Sequence, residues 1–161
     1  MRTRTYAVML AVSTAIAGLL VGSGTALAGN RHHGKTCAAK FEAAQRADME
    51  SFRDYDAATF RAGHARNAVS IFPQGQRFVG IDAIMAAQTG HFRDKEAVWS
   101  WTELNRRVDG CQSAFIEYDA TYDIPRVGFH QRALTVVSYV YAHGRWLGVM
   151  DQGTLLELTT G

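Results

Sequence analysis

Four consecutive strand-like segments fill the last third of the chain, and they constrain the fold more than any other feature. Apolar and polar residues alternate along each segment with a period of two, which is typical of β-strands. The segments are residues 96–108, 111–122, 129–141 and 145–152. Asp109-Gly110 and, more weakly, His143-Gly144 indicate hairpin turns between neighbouring segments. The pattern predicts a curved antiparallel sheet built from consecutive hairpins.

Three helical segments and two short strands precede this sheet. Phe41, Ala44, Asp48, Phe52 and Tyr55 recur at three- and four-residue steps, so they share one face of a helix over residues 40–54, with Thr36 as its N-cap. Further helices are predicted at residues 56–63 and from Gly80 to Gly90, with short strands at 68–72 and 77–79. This order predicts an α+β fold, a cone-shaped antiparallel sheet packed against three helices.

Residues 1–28 have the pattern of a cleaved secretory signal peptide. Arg2 and Arg4 precede an apolar stretch over residues 6–21, and Ala26-Leu27-Ala28 fits the small-x-small cleavage rule. A transmembrane anchor is the alternative interpretation, but the stretch is short and Gly22-Ser23-Gly24 interrupts it. We therefore expect cleavage near Ala28 and a secreted, extracytoplasmic protein without a stable membrane anchor.

The segment after Ala28 is long enough for one domain. We expect residues 29–36 to form a flexible leader and residues 37–158 to form the domain. The chain has 17 basic and 15 acidic side chains, and two of the basic ones are Arg2 and Arg4. The balanced remainder predicts neither a nucleic-acid partner nor a polybasic membrane surface.

Cys37 and Cys111 are the two cysteines of the chain. An even count in an oxidising compartment favours a disulfide, whereas a catalytic or metal-binding thiol would need a nearby histidine or a CxxC partner. The histidines at positions 64, 91 and 143 form no metal-ligand spacing with a carboxylate pair. We expect a disulfide, no metal and no cofactor.

Three passages of the sequence resemble the nuclear-transport-factor-2-like superfamily, in particular its SnoaL-like and ketosteroid-isomerase-like branches. They are Asp54-Tyr55-Asp56-Ala57 followed by Asn67-Ala68-Val69-Ser70-Ile71-Phe72-Pro73, then Phe78-Val79-Gly80-Ile81-Asp82-Ala83-Ile84, and finally Gly144-Arg145-Trp146-Leu147 with Met150-Asp151-Gln152. The resemblance covers residues 41–158 and implies a cone with a pocket at its mouth. Members include isomerases, cyclases, epoxide hydrolases, dehydratases and catalytically silent proteins.

Two departures from the superfamily pattern bear on function. Met150 and Gln152 occupy positions where many relatives have histidines, which lowers the expectation of acid-base chemistry on the last strand. The tyrosine and aspartate set of steroid isomerases has no matching positions in this chain.

Four residues are the candidates for acid-base chemistry. Asp119 shares a strand face with Glu117, and two such carboxylates form an acid-base pair if they are partly buried. Otherwise they face solvent or pair with Arg106, Arg107 or Arg132. Asp48 and Tyr55 lie on the helical stripe, and the alternative for Tyr55 is a structural role in which it caps the core. His130 begins a strand, and its alternative is a surface histidine without a catalytic role. The catalytic candidates are therefore Asp48, Tyr55, Asp119 and His130.

Aromatic residues are numerous in the predicted sheet, and they either line a pocket for a flat apolar ligand or form a dimer interface. The residues predicted to bind the ligand are Phe52, Trp101, Glu117, Tyr122 and Trp146. Both alternating sets of residues 129–141 are rather apolar, which favours a homodimer through the sheet.

Three functions follow from these patterns. The first is a secreted protein that binds a small apolar or aromatic molecule. The second is a cofactor-free isomerase or cyclase that transfers protons on a polyketide- or steroid-like carbonyl compound, and it requires at least two of the four candidates to converge in the pocket. The third is a dimeric interaction module without a ligand.

Overall fold

The computed structural model describes the backbone of residues 26–161 and the side chains of residues 36–161. The predicted signal peptide lies almost entirely outside the described residues. Within them there are four α-helices, one 3-10 turn at Pro125–Val127 and six strands. The helices are α1 (Ala26–Arg53), α2 (Ala57–Gly63), α3 (Ile81–Ala87) and α4 (Thr89–Asp94). The strands are β1 (His64–Ile71), β2 (Arg77–Val79), β3 (Val98–Asp109), β4 (Ser113–Ile124), β5 (Phe129–Ala142) and β6 (Arg145–Thr159).

The six strands form one mixed sheet in the order β2-β1-β6-β5-β4-β3. The antiparallel pairing of β3 to β6 as consecutive hairpins is confirmed. The prediction of a wholly antiparallel sheet is wrong, because β1 pairs in parallel with β6. Alternation within one strand reports which residues share a face, but it carries no information about the direction of a distant partner strand.

The helices differ from the prediction at two places. The backbone of α1 is helical from Ala26, so the predicted N-cap at Thr36 lies inside the helix, and residues 29–36, predicted as a leader, form part of α1. No proline interrupts this stretch. The predicted third helix is two helices, α3 and α4, which meet at Gln88, and Lys95 ends the second in a left-handed conformation. None of the described helices is long and apolar enough to cross a membrane.

The main core lies between α1 and one face of the sheet, its inner face. Phe41 of α1 is fully buried and packs edge-on against Tyr139 and Trp146, with ring centroids 5.3 Å apart in both pairs. The predicted disulfide between Cys37 and Cys111 is present, with Cα atoms 5.5 Å apart, and it ties α1 to the β3–β4 turn. These contacts fix α1 against the inner face of the sheet.

A second, smaller cluster packs α2 and α3 against β1. Its buried members are Phe60, Ala68, Ile81 and Ile84. Phe52, at the C-terminal end of α1, packs against this cluster and also against Trp99 of β3, with the two ring centroids 5.3 Å apart. The space between the two clusters is therefore bounded by α1, α2, α4 and the inner face of the sheet.

Candidate functional site

A cavity of about 370 Å³ opens between the helices and the inner face of the sheet. This volume lies within the range of small-molecule pockets, near its lower limit. Most of the wall is apolar or aromatic. The large apolar and aromatic residues in the wall include Met49, Phe52, Phe60, Trp99, Tyr122 and Phe129.

Three titratable side chains from different elements meet at the inner end of this cavity. Asp48 comes from α1, His64 begins β1 and Asp151 lies on β6. Asp48 is only 6% exposed, and its Oδ2 atom accepts a hydrogen bond of 2.6 Å from the Tyr139 hydroxyl. Its Oδ1 atom has no hydrogen-bond partner. One oxygen of the carboxyl group is thus held in place, while the other accepts no hydrogen bond.

His64 has a defined tautomer, and its ring lies close against the backbone of Gly148. Its Nδ1 lies 2.8 Å from the carbonyl oxygen of Phe60, so Nδ1 carries a proton and donates it. The Nε2 atom lies 3.8 Å from Asp48 Oδ1, beyond hydrogen-bond distance. Gly148 is the register partner of His64, and a Cβ atom there would lie 3.0 Å from His64 Cδ2. The missing side chain at Gly148 leaves room for the imidazole.

Asp151 is the group at this site whose acidity is most useful near neutral pH. Burial and the negative charge of Asp48 raise the pKa of Asp151 to about 6. His64 lowers the pKa of Asp151, and so does the Ser70 hydroxyl, which lies 3.5 Å from Asp151 Oδ2. Asp151 therefore changes charge in the pH range in which a general acid or base is most effective.

Two buried tyrosines near Asp48 act as hydrogen-bond donors, and one of them, Tyr139, bonds Asp48 itself. Burial and the negative charge of Asp48 raise the pKa of Tyr139 well above its ordinary value. Burial also raises the pKa of Tyr118, whose hydroxyl donates to Gln45 Oε1 at 2.8 Å. Both phenols stay protonated at neutral pH, so Tyr139 remains available to hold Asp48.

A second histidine, His91 of α4, is fully hydrogen-bonded in the wall of the cavity. Its Nε2 donates to the Phe52 carbonyl oxygen at 2.7 Å, and its Nδ1 accepts from the Tyr122 hydroxyl at 3.1 Å. The ring stacks on Phe52 with centroids 3.8 Å apart. Burial lowers the pKa of His91, so the ring is neutral at physiological pH. We assign it the role of fixing the aromatic wall.

Among the described side chains, three buried polar atoms have no hydrogen-bond partner. They are Asp48 Oδ1, Gln88 Oε1 and Trp99 Nε1. All three residues line this same cavity, although they come from α1, the α3–α4 junction and β3. A buried polar atom without a partner lowers the stability of the fold by about 1–3 kcal/mol. The occurrence of three such residues around one cavity therefore requires an explanation.

The four candidates for acid-base chemistry do not converge. Asp48 lines the cavity, whereas the Tyr55 hydroxyl donates to the carbonyl oxygen of Ala97 outside it. Asp119 forms two hydrogen bonds with Arg132, and His130 contacts Asp123 and Glu157; none of these side chains lines the cavity. The expectation that two of the four meet in the pocket is wrong.

The face of β4 explains why Asp119 is outside. Ala120 and Tyr122 line the cavity, and residues alternate along the strand, so Glu117 and Asp119 lie on the opposite, outer face. The alternation of β4 was apparent in the sequence, but which of its two faces meets the helices is set by the packing of α1.

Some of the predicted ligand-binding residues line the cavity and others lie outside it. Phe52 and Tyr122 line the cavity, whereas Trp101, Glu117 and Trp146 do not. Trp146 is a core residue, 3% exposed, and its Nε1 donates to the carbonyl oxygen of Cys37 at 3.0 Å. The Trp101 ring lies 5.7 Å from the guanidinium carbon of Arg53.

Sequence reasoning missed His64 and Asp151. Met150 and Gln152 carry the expectation for the last strand, but Asp151 between them is the titratable residue of β6 that lines the cavity. The lowered expectation of acid-base chemistry on this strand rests on Met150 and Gln152 alone and leaves Asp151 out of account. Side chains alternate between the two faces of a strand, so Asp151 lies on the opposite face from Met150 and Gln152, and this alternation could have drawn attention to it. His64 was considered only for metal-ligand spacing, and the described residues contain no group of three or more potential ligands that could hold a metal ion.

Comparisons with known proteins identify the fold and not the activity. No family model and no curated protein matches the chain. A solved type 2 hexachlorocyclohexane dehydrochlorinase, LinA, superposes with a TM-score of 0.67 at 9% identity, over 81% of this chain and 93% of that one. A ketosteroid isomerase-like protein from Erwinia carotovora atroseptica gives a TM-score of 0.62 at 15% identity, over 74% and 95%.

A third structure, an NTF2-like protein of unknown function from Pseudomonas putida, gives a TM-score of 0.60 at 15% identity and covers 81% of this chain and 89% of its own. The resemblance found in the sequence is confirmed at the level of the fold. The chain has the nuclear-transport-factor-2-like fold.

Proposed function

We propose that this protein is a secreted domain that binds a small, largely apolar molecule in its cone-shaped cavity. The observation that carries the proposal is that, among the described side chains, all three residues with an unpartnered buried polar atom line one apolar cavity. A ligand that bonds these atoms and covers the aromatic wall gains from both contacts. A small number of placed polar groups in an apolar wall is the usual composition of a ligand pocket.

Secretion is supported by two independent features. Residues 1–28 have the pattern of a signal peptide, and the Cys37–Cys111 disulfide fits an oxidising compartment. Detecting the chain outside the producing cell with an N-terminus at Gly29 tests this part of the proposal, and retention with an intact N-terminus contradicts it.

A blocking variant tests binding with a matched control. Ala87 and Ala86 are neighbouring exposed residues of α3, but only Ala87 lines the cavity. Titrating the oxidised protein with neutral aromatic probes, indole and 2-naphthol, in a calorimeter should give saturable binding. Ala87→Trp should weaken that binding at least about tenfold, because the indole occupies the cavity entrance, whereas Ala86→Trp should not. Equal effects of the two substitutions, or no binding by the wild type, would overturn the proposal.

Cofactor-free proton transfer on an apolar carbonyl compound is the second candidate, with Asp151 beside Asp48 in place of the predicted partners Tyr55, Asp119 and His130. It is favoured by the unpaired Asp48 Oδ1 beside Asp151, whose pKa is about 6. In this reaction the C–H bond next to the carbonyl breaks, its proton moves to Asp48 Oδ1, and the electron pair moves onto the carbonyl oxygen. The unpaired Trp99 Nε1–H is a donor for that oxygen in the same cavity.

The exchange of carbon-bound hydrogen tests this second candidate directly. The wild type should speed deuterium uptake from D₂O into the α position of 2-tetralone, followed by NMR, and Asp48→Asn should abolish the acceleration. Tight binding of 2-tetralone without any faster exchange would leave the protein a binder and remove the enzymatic candidate.

We also propose a homodimer through the outer face of the sheet. The outward residues Leu134 and Val136 of β5 are half-buried and lie opposite Asp119 and Glu117 of β4, so this face has an apolar centre with charged neighbours. Light scattering should give twice the mass of the chain for the wild type and the mass of one chain for Val136→Glu. A wild-type monomer would contradict the dimer and with it the interaction-module hypothesis.

A further inference from the structure

We propose that the ligand carries a positively charged amine, which the carboxylates of Asp48 and Asp151 bind at the inner end of the cavity. The inference rests on the proposed binding function and adds the chemical class of the ligand. An apolar or aromatic body would occupy the outer part of the cavity, against Phe52, Trp99 and Phe129.

The first argument is the charge of the cavity. Among the described residues that line it, two are carboxylic acids and two are histidines, and none is lysine or arginine. His91 is neutral, because its Nε2 donates to a carbonyl oxygen while its Nδ1 accepts from Tyr122. One imidazole, that of His64, therefore faces two carboxyl groups. Once both acids are ionised, the inner end is negative whichever protonation state His64 adopts.

The second argument is the hydrogen-bonding character of the free atoms. Tyr139 occupies Asp48 Oδ2 and leaves Oδ1 unpaired. His64 uses its Nδ1 proton on the Phe60 carbonyl oxygen, and its Nε2 is too far from Asp48 for a hydrogen bond. Asp48 Oδ1 therefore accepts no hydrogen bond, and at Asp151 the Ser70 hydroxyl approaches Oδ2 only at 3.5 Å. An ammonium group supplies three donors and no acceptor, whereas a ligand carboxylate would place like charges together.

The third argument is the depth at which this acceptor lies. Asp48 is more than nine-tenths buried, its unpaired oxygen is buried with it, and aromatic rings form the wall outside it. A charge in such surroundings is stable only when it is paired. A cation with an apolar body provides the pairing and fills the aromatic space in one molecule, and cations are also attracted to aromatic faces.

Three probes of nearly equal shape test the inference on the oxidised wild-type protein. They are 2-phenylethylamine, 2-phenylethanol and 3-phenylpropionate, titrated separately in a calorimeter at pH 8. The amine should bind at least about tenfold more tightly than the alcohol, as expected for a charged hydrogen bond, and the carboxylate should bind most weakly. Equal affinities, or the tightest binding by the alcohol or the carboxylate, would overturn the inference while leaving a binding cavity. Binding of none of the three would contradict the proposed function itself.

Two isosteric variants locate the effect, with one matched control. In Asp48→Asn the amide oxygen still accepts from Tyr139 and the amide nitrogen replaces Oδ1, so an acceptor becomes a donor. This variant, and separately Asp151→Asn, should remove the preference for the amine over the alcohol. Asp54→Asn alters an exposed carboxylate that pairs with Arg53 outside the cavity and should keep the wild-type preference. A preference that survives in both cavity variants would overturn the inference.

Discussion

Replacing Asp151 by asparagine should stabilise the protein above neutral pH and leave its stability almost unchanged at pH 4. The reason is that the folded protein raises the pKa of Asp151 from 3.8 to about 6, mainly through burial and secondly through the charge of Asp48. A carboxyl group with a raised pKa penalises folding when it is ionised. The penalty is absent below about pH 4, develops between pH 4 and 6, and is complete above that range.

The size of the effect follows from the same values. Each pH unit between the ordinary and the folded pKa is worth about 1.4 kcal/mol, so a rise from 3.8 to about 6 corresponds to about 3 kcal/mol. Asparagine has nearly the same shape as the protonated acid, and its amide oxygen can still accept from Ser70. Asp151→Asn should therefore gain on the order of 2–3 kcal/mol in the free energy of unfolding at pH 8.

The assay is urea unfolding of the oxidised protein, followed by circular dichroism at pH 4, 6 and 8. Asp119→Asn is the control. Arg132 lowers the pKa of Asp119, whereas the pKa of Asp151 is raised, so the two substitutions should change the stability at pH 8 in opposite directions. Asp119 stabilises the fold above its ordinary pKa and loses that effect as the pH falls through its folded pKa. Asp119→Asn should therefore destabilise at pH 8. An Asp151→Asn effect of equal size at pH 4 and pH 8, or of the same sign as Asp119→Asn, would refute the reasoning.

Two further predictions concern packing and covalent stability. Gly148→Ala should destabilise the fold by about 1–3 kcal/mol in thermal unfolding, because the added Cβ lies 3.0 Å from the His64 ring, which is held by its bond to Phe60. Gly63→Ala is the control, since its Cβ meets nothing within 4 Å; equal losses in both variants would remove the steric explanation. Replacing both Cys37 and Cys111 by alanine should cost about 4 kcal/mol in urea unfolding, because the disulfide closes a long loop, and an unchanged midpoint would contradict this.

Local patterns in the sequence were sufficient for most of the secondary structure. The four long strands and their hairpins were predicted because alternation and turn residues act over a few neighbouring positions. The actual β2 (Arg77–Val79) has the predicted boundaries, and β6 (Arg145–Thr159) extends seven residues beyond its predicted end. The disulfide was predicted because two cysteines in an oxidising compartment have one possible pairing.

The site depended on contacts between residues that are far apart in the chain. Parallel pairing of β1 with β6 brings His64 and Asp151 to the same part of the sheet, and the packing of α1 adds Asp48. No local period reports the direction of a distant strand or the face of β4 that meets the helices, so the sequence left open whether Asp119 and Glu117 line the pocket or pair with arginines outside it. The sequence by itself determined the strands, the hairpins and the disulfide. The tertiary structure alone decided which carboxylates are buried, because burial depends on what packs against each face.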